Sequence, residues 1–245
     1  MRQNIETAIL GMYSAMARAA AAQAANGRAD QGRRSAVTSG KHLDPVAGII
    51  RNDLIDLGFH EDEVFHTGRA CTLPGWFRPT KDWDLLALDD GELVSAIELK
   101  SISSSFGNNA NNRAEESIGS VVDAIEAYNE RLYGNCSIPP VMGYAMIVCD
   151  CDESRSTSAR PAHSPHFDID EAFKGVSYLD RFHILCDRLR RKSLYNAVWL
   201  VFARPDEGIA YEPDPSMTYE VFMTTIESGL RMHRYIKRVD KMMEE

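Results

Sequence analysis

Apolar residues recur along this 245-residue chain with two different periods, and the alternation of the periods outlines the fold. Residues 5–25 form an alanine-rich run that reads as a first helix. A second amphipathic helix is predicted from Asp44-Pro45 through Val46, Ile49, Ile50, Leu54 and Leu57, with Gly58 as its stop. Short apolar runs of strand length follow at 83–88 and 93–100, and Asp89-Asp90-Gly91-Glu92 between them supplies hairpin turn chemistry. From Arg113 to Tyr133, Ile118, Val121, Ile125, Tyr128 and Leu132 step by three and four, which predicts a helix, and Asn112 with Glu115 resembles a capping box at its start. Runs at 141–149 and 197–203 are further strands, with a helix near 178–195 between them and a last helix over 218–243.

Strands interleaved with helices predict an α/β fold, a mixed sheet flanked by helices with two helices ahead of the first strand. One domain is expected over 1–245, with a helical part at 1–60, a core at 76–205 and a C-terminal helix at 216–245. The Gly/Ser/Arg-rich stretch 26–41 reads as a connection, and the polar stretch 152–177 as a long surface loop. Five scattered cysteines oppose a disulfide framework and favour a reducing compartment. The first helix carries Arg18 and Gln23 and lacks the layout of a secretory signal or a membrane span, so the expected location is the cytoplasm, with no membrane partner.

A net charge of −9 works against phosphate attraction, but its distribution is uneven. Arg181, Arg188, Arg190, Arg191 and Lys192 form one basic stripe, and Arg231, Arg234, Lys237, Arg238 and Lys241 form another. Either is a solvated helix face or a surface for nucleic acid. Cys149, Cys151, His163 and His166 do not match the usual spacings of a structural zinc site.

The chemistry concentrates on the first two strands. Phosphodiester hydrolysis needs an activated water and relief of charge on the phosphate, and a hard divalent ion held by two carboxylates supplies both. Asp84 and Glu98 can be that pair, because carboxylates that converge repel unless a cation sits between them or a pKa rises. Lys100, two residues beyond Glu98, shares its strand face and can orient or deprotonate the attacking water. A Glu-x-Lys on a strand is commonly only a surface ion pair, but here the alternate residues Ile97 and Leu99 are also apolar, and buried charges require a partner. Asp82 shares its parity with Asp84 and is the rival first acid. A two-residue turn at Asp90-Gly91 would pair Asp84 with Ile97 and turn Glu98 away. A three-residue turn or a bulge would instead oppose Asp84 to Glu98, with Leu86, Leu88, Val94 and Ala96 behind them, and that register is predicted.

The segments Lys81-Asp82-Trp83-Asp84-Leu85-Leu86, Ala96-Ile97-Glu98-Leu99-Lys100-Ser101, Ser105-Phe106-Gly107-Asn108-Asn109 and Asn112-Arg113-Ala114-Glu115-Glu116, with Gly119-Ser120 and Asp123, resemble type II restriction endonucleases of the XhoI type, within the PD-(D/E)xK nucleases. Trp83 stands where the motif name places proline, which has no chemical role. The resemblance implies a restriction-endonuclease-like fold and a bacterial homodimer that cuts double-stranded DNA at the palindrome CTCGAG with Mg²⁺. It implies catalytic roles for Asp84, Glu98 and Lys100, with Asp84 and Glu98 as metal ligands. Asn108, Asn109, Asn112, Arg113 and Lys81 are candidate DNA contacts, since amide side chains suit adenine, guanidinium suits guanine, and the start of a helix favours phosphate; turn and capping chemistry is the other reading for Asn112. A repair, junction-resolving or nicking nuclease on the same core, and a non-cutting DNA-binding module, remain the alternatives.

Overall fold

The computed structural model describes residues 1–25, 41–66, 68–134, 136, 138–157 and 162–244, so most of the predicted connection 26–41 lies outside the described residues. Among the described residues two α-helices, α1 (Gln3–Ala25) and α2 (Asp44–Asp56), precede the first strand. The strands are β1 (Val64–Phe65), β2 (Thr72–Pro74), β3 (Thr80–Asp82), β4 (Leu85–Asp89), β5 (Glu92–Ile102), β6 (Val141–Cys149), β7 (Ala197–Arg204) and β8 (Ile209–Tyr211). Between and after them lie α3 (Phe106–Asn129), the single turn α4 (Asp152–Arg155), α5 (Tyr178–Arg191) and α6 (Tyr219–Glu244).

Six strands form one mixed sheet in the order β1-β4-β5-β6-β7-β8, and β2-β3 stand apart as a small hairpin. The β4-β5 pair is antiparallel, as a tight turn requires, whereas β5-β6 and β6-β7 are parallel and are joined by segments containing α3 and α5. Side chains alternate across the sheet and divide the core in two. On one face Leu85, Ala87, Ile97, Leu99, Ala145, Ile147, Trp199 and Val201 pack against α1, α2 and α6 through Ile9, Ile50, Leu54, Phe222 and Ile226. On the other, Leu86, Ala96, Tyr144, Met146, Val198 and Leu200 pack against α3 and α5 through Phe106, Val121, Phe182 and Cys186. The fold is restriction-endonuclease-like, a mixed sheet flanked by helices on both faces with helices at the N-terminus. No described helix is long and apolar enough to cross a membrane.

The helix after β5 begins seven residues before the predicted Arg113, at Phe106, and ends at Asn129. Phe106 and Ala110 are buried on the sheet, and this tertiary contact outweighs the poor helix propensity of the asparagines between and beyond them. Asn112 and Glu115 therefore lie inside the helix and form no capping box; the residue ahead of the helix is Ser105, whose φ of 53° makes the sharp entry and whose side chain caps nothing. The stretch 152–177 contains two short helical turns, Asp152–Arg155 and Glu171–Phe173, rather than a featureless loop.

Candidate active site

The geometry of the site is set by the β4-β5 turn and one extra residue. Asp90 and Gly91 both have positive φ, 53° and 77°, as a two-residue turn of type I′ demands, and Asp89 pairs with Glu92. Carried along regular strands, that turn would set Asp84 against Ile97. The register shifts between Ala87 and Leu88: Leu88 faces Leu93, but Ala87 faces Ser95, so Val94 is the additional residue of a β-bulge. Beyond it Leu86 faces Ala96 and Leu85 faces Ile97, which brings Asp84 across from Glu98. The tight turn and the register that opposes Asp84 to Glu98 are thus compatible because the bulge reconciles them. The bulge also corrects one expectation: Val94 packs with the α1, α2 and α6 face, and Leu93 takes its place beside Leu86 and Ala96.

Glu98 and Lys100 follow Ala96 on the face that meets α3 and α5. Asp84 Oδ2 accepts the Leu99 amide at 2.6 Å, which fixes this carboxylate beside Glu98. No cationic side chain hydrogen-bonds Asp84 among the described residues, and burial first, then the charge of Glu98, push its pKa up to about 6. Glu98 is treated oppositely. Burial alone would raise its pKa, but Lys100 and Lys81 outweigh burial and hold it below the ordinary range. Lys81 Nζ donates to Glu98 Oε2 at 2.6 Å and lies over the Trp83 ring at 4.8 Å, while Lys100 Nζ donates to Oε1. Asp82, the rival first acid, is exposed and accepts the Thr72 hydroxyl at 2.6 Å, and it belongs to β3 rather than to this pair.

Two buried tyrosines form the inner wall. Tyr144 lies opposite Glu98 on β6, its ring 4.9 Å from that of Tyr195. Burial drives both phenols well above their ordinary range, and the charge of Glu98 adds to the effect. Tyr195 donates to Ser117 O at 3.2 Å, whereas Tyr144 Oη has no hydrogen-bond partner among the described residues. The sequence reading assigned Tyr144 no role; its position beside Glu98 follows only from strand pairing.

The candidate DNA residues divide. Asn108 and Asn112 are exposed on the first turns of α3. Asn109 is half-buried and ties the helix start to Ser104 O at 2.8 Å. Arg113 donates to Glu116 through one amino group, while its buried Nε has no partner among the described residues. Lys81 stands at Glu98 itself rather than on an outlying surface. The basic stripes are largely engaged within the chain: Arg181 binds Asn111, Arg188 binds Asp170, Arg190 and Arg191 bind Asp187, and Arg234 binds Asp89.

The donor set fits a hard cation. Asp84 and Glu98 offer carboxylate oxygens on one face, and magnesium needs only one or two carboxylates beside its waters. A ligand cage of three or more His, Cys, Asp or Glu side chains is absent among the described residues.

A mixed sheet whose bulged strand pair converges two carboxylates and a lysine places this protein in the restriction-endonuclease-like class. The description of the family Restriction endonuclease XhoI matches residues 22–211, and the chain belongs to that family. It is 41% identical over 192 residues to the type II restriction enzyme XhoI of Xanthomonas vasicola, covering 74% of this chain and 76% of that one. Over 206 residues it is 38% identical to the type II restriction enzyme BstVI of Geobacillus stearothermophilus, covering 80% and 90%. The type II restriction enzyme AbrI of Azospirillum brasilense is 42% identical over 146 residues, which are 59% of this chain and 64% of that one. No solved structure matches the chain.

Proposed function

We propose that this chain is a type II site-specific deoxyribonuclease that hydrolyses both strands of DNA at CTCGAG, acting in the cytoplasm as a homodimer of one-domain subunits with Mg²⁺ held by Asp84 and Glu98. The observation that carries the reading is the bulge at Val94, which sets Asp84 opposite Glu98 where the turn alone would have parted them. Bound between these carboxylates, Mg²⁺ supplies charge neutralisation at a phosphate oxygen and a more acidic water.

The chain's own groups do the rest. Lys100, an ammonium that donates to Glu98, orients the attacking water by a hydrogen bond and offsets the negative charge that grows on the phosphate, while the water's proton passes to solvent. Lys81 neutralises the second oxygen of Glu98, which keeps that buried carboxylate ionised, and presents a second cation toward a phosphate. Asp84, with its pKa near 6, is ionised and able to hold a cation at neutral pH and loses that ability in acid. Asn108 and Asn112, exposed at the start of α3, and Asn109 and Arg113 beside them, are the proposed DNA contacts from this helix. Two-fold symmetry of the homodimer matches the palindrome, one strand being cut by each subunit.

Two matched plasmids, one with a single CTCGAG and one without, incubated with Mg²⁺ and either the protein or its Lys100→Ala variant, test the proposal. Linearisation of the site-bearing plasmid alone, by the unaltered protein alone, is expected. Cutting of both plasmids would make the chain a nuclease of other specificity, and cutting of neither would remove the catalytic reading.

A further inference from the structure

Just before the catalytic strands, β2 and β3 form a hairpin whose tip, Gly75-Trp76-Phe77-Arg78-Pro79, is rigidly braced and yet exposes two adjacent aromatic rings. The brace is Asp123 of α3, a side chain 4% exposed. Its Oδ1 accepts the amides of Trp76 (2.9 Å) and Phe77 (2.7 Å), and its Oδ2 accepts Arg78 Nε (2.7 Å). The Gly75 amide closes the tip on Pro79 O at 3.3 Å, and the Tyr133 hydroxyl donates to Pro74 O at 3.2 Å. Gly75 has to be glycine, since a Cβ there would lie 2.4 Å from Asp123 Oδ2 and 2.7 Å from Arg78 O. Held by this framework, Trp76 is 49% and Phe77 71% exposed.

A buried carboxylate with three strong donors is a costly device for an ordinary surface turn, and a fixed aromatic pair loses little further entropy on meeting a ligand. The surroundings state which ligand. The hairpin contributes Arg78 and Lys81, with Arg69 exposed just before it, and Lys81 reaches from β3 to Glu98 in the active site. Phe77 lies four residues from Lys81 through a segment that bends at 76–79, so the tip is at most roughly 13 Å from that lysine, the span of a fully extended chain. That bound corresponds to roughly four nucleotide steps at 3.4 Å each.

We propose that the Trp76-Phe77 tip is a DNA-reading wedge that packs its rings against bases within about four steps of the scissile phosphate, with Arg78 and Lys81 beside it on the backbone. The inference rests on the nuclease reading for its ligand and extends it to a contact outside the catalytic residues. Aromatic wedges and stacking platforms are established ways of gripping bases, and removing one ring that stacks on a base weakens binding by roughly 5- to 150-fold. Asp123 and Gly75 serve to hold the wedge at a fixed distance from Asp84 and Glu98.

The test uses the Lys100→Ala background with Mg²⁺ and a labelled duplex containing CTCGAG. Trp76→Ala and Phe77→Ala should each weaken binding about tenfold, and Trp76→Phe should restore most of the loss. Because both rings are exposed, the thermal midpoint should stay unchanged. Trp83 and Trp199 are buried, so fluorescence quenched by acrylamide reports Trp76, and saturating duplex should protect it. Affinities within twofold of the parent and no protection, in a protein whose unaltered form cuts the plasmid, would overturn the wedge and leave the nuclease standing. Protection and the expected affinity losses in a chain that cuts neither plasmid would keep the wedge and remove the nuclease. A chain that neither binds nor cuts would lose both.

Discussion

The two ends of the β4-β5 ladder carry similar numbers of charged groups and use them in opposite ways. At the turn end, Asp89 receives Nε (3.0 Å) and an amino group (2.6 Å) of Arg234, and Lys237 lies 3.4 Å from both Asp90 and Glu92. Through Arg234 and Lys237, α6 closes that end with positive charge, and the buried His233 stands 3.6 Å from Glu92. At the other end, some five residues along the same strands, Glu98 has two lysines while Asp84 has a backbone amide and no cation. The turn end is a completed ion-pair network, which locks the last helix to the hairpin. At the far end Asp84 has no cation hydrogen-bonded to it among the described residues, and the nearby charges of Lys100 and Lys81 do not offset its burial and the charge of Glu98, which costs stability and leaves a place for a cation. One stretch of backbone thus bears a structural and a chemical use of the same residue types, and the difference lies in whether each acid has a partner.

The largest effect that separates the ends is on cleavage. Glu98→Gln or Lys100→Ala should lower the rate of plasmid cutting by a factor of about 1,000 or more, since each removes a group proposed to act on the cation or the reacting atoms. Circular dichroism of both variants should match the parent. A rate within tenfold of the parent for Lys100→Ala would move the catalytic role elsewhere, with Lys81 the nearest cation.

Next in size is a gain of stability at the uncompensated end. The pKa of Asp84 stands at about 6 in the folded chain, against an ordinary value of 3.8, so the folded form holds the proton more tightly than the unfolded one. The favourable contribution is present in full below pH 3.8 and is lost as pH rises through 6. At pH 8 without divalent ions, Asp84→Asn should therefore stabilise the protein by about 2–3 kcal/mol, and at pH 4 by little. Urea denaturation at the two pH values measures this, and equal gains at both would show that the effect is not one of charge. Asp89→Ala is the counterpart at the turn end. It strips Arg234 of its carboxylate partner, leaving the bond to Gly58 O, and should cost about 1–2 kcal/mol, a figure kept small because that arginine is partly exposed, while cleavage at saturating Mg²⁺ stays within twofold.

How much of this was readable beforehand follows the same division. The long elements were legible because burial imposes a period: β6 was expected at 141–149 and is Val141–Cys149, and α2 begins at the expected Asp44. Asp84, Glu98 and Lys100 were singled out by strand alternation together with the family resemblance, and strand pairing brings the two acids opposite each other. The tip hairpin was not found, since β2 and β3 have three residues each with Pro74 within and Pro79 between, too short for a period to appear. The early start of α3 was missed because asparagine is common in turns, although Phe106 and Ala110, four apart, carried the helical signal. The ion partners of the basic stripes were hidden for a deeper reason: Arg234 meets Asp89 across 145 residues, and charge pattern along the chain says nothing about such pairs.

The smallest predicted effect concerns what sets the register, the feature on which the comparison of the two ends depends. Gly91 occupies the second turn position at φ 77°, with open space where a Cβ would go, so Gly91→Ala strains only the backbone and should cost about 1 kcal/mol. If the bulge at Val94 is anchored by its own packing among Leu85, Ile97 and Leu99, the strained turn stays local. Cleavage should then be unchanged while the melting point drops by a few degrees. If instead the turn dictates the pairing, a loosened Asp90-Gly91 allows the strands to slip by one residue, Glu98 and Lys100 turn toward the α1 and α6 face, and activity falls with stability. Measuring both quantities on this one variant distinguishes a register held by the core from one held by the turn, and the packing of Val94 favours the core.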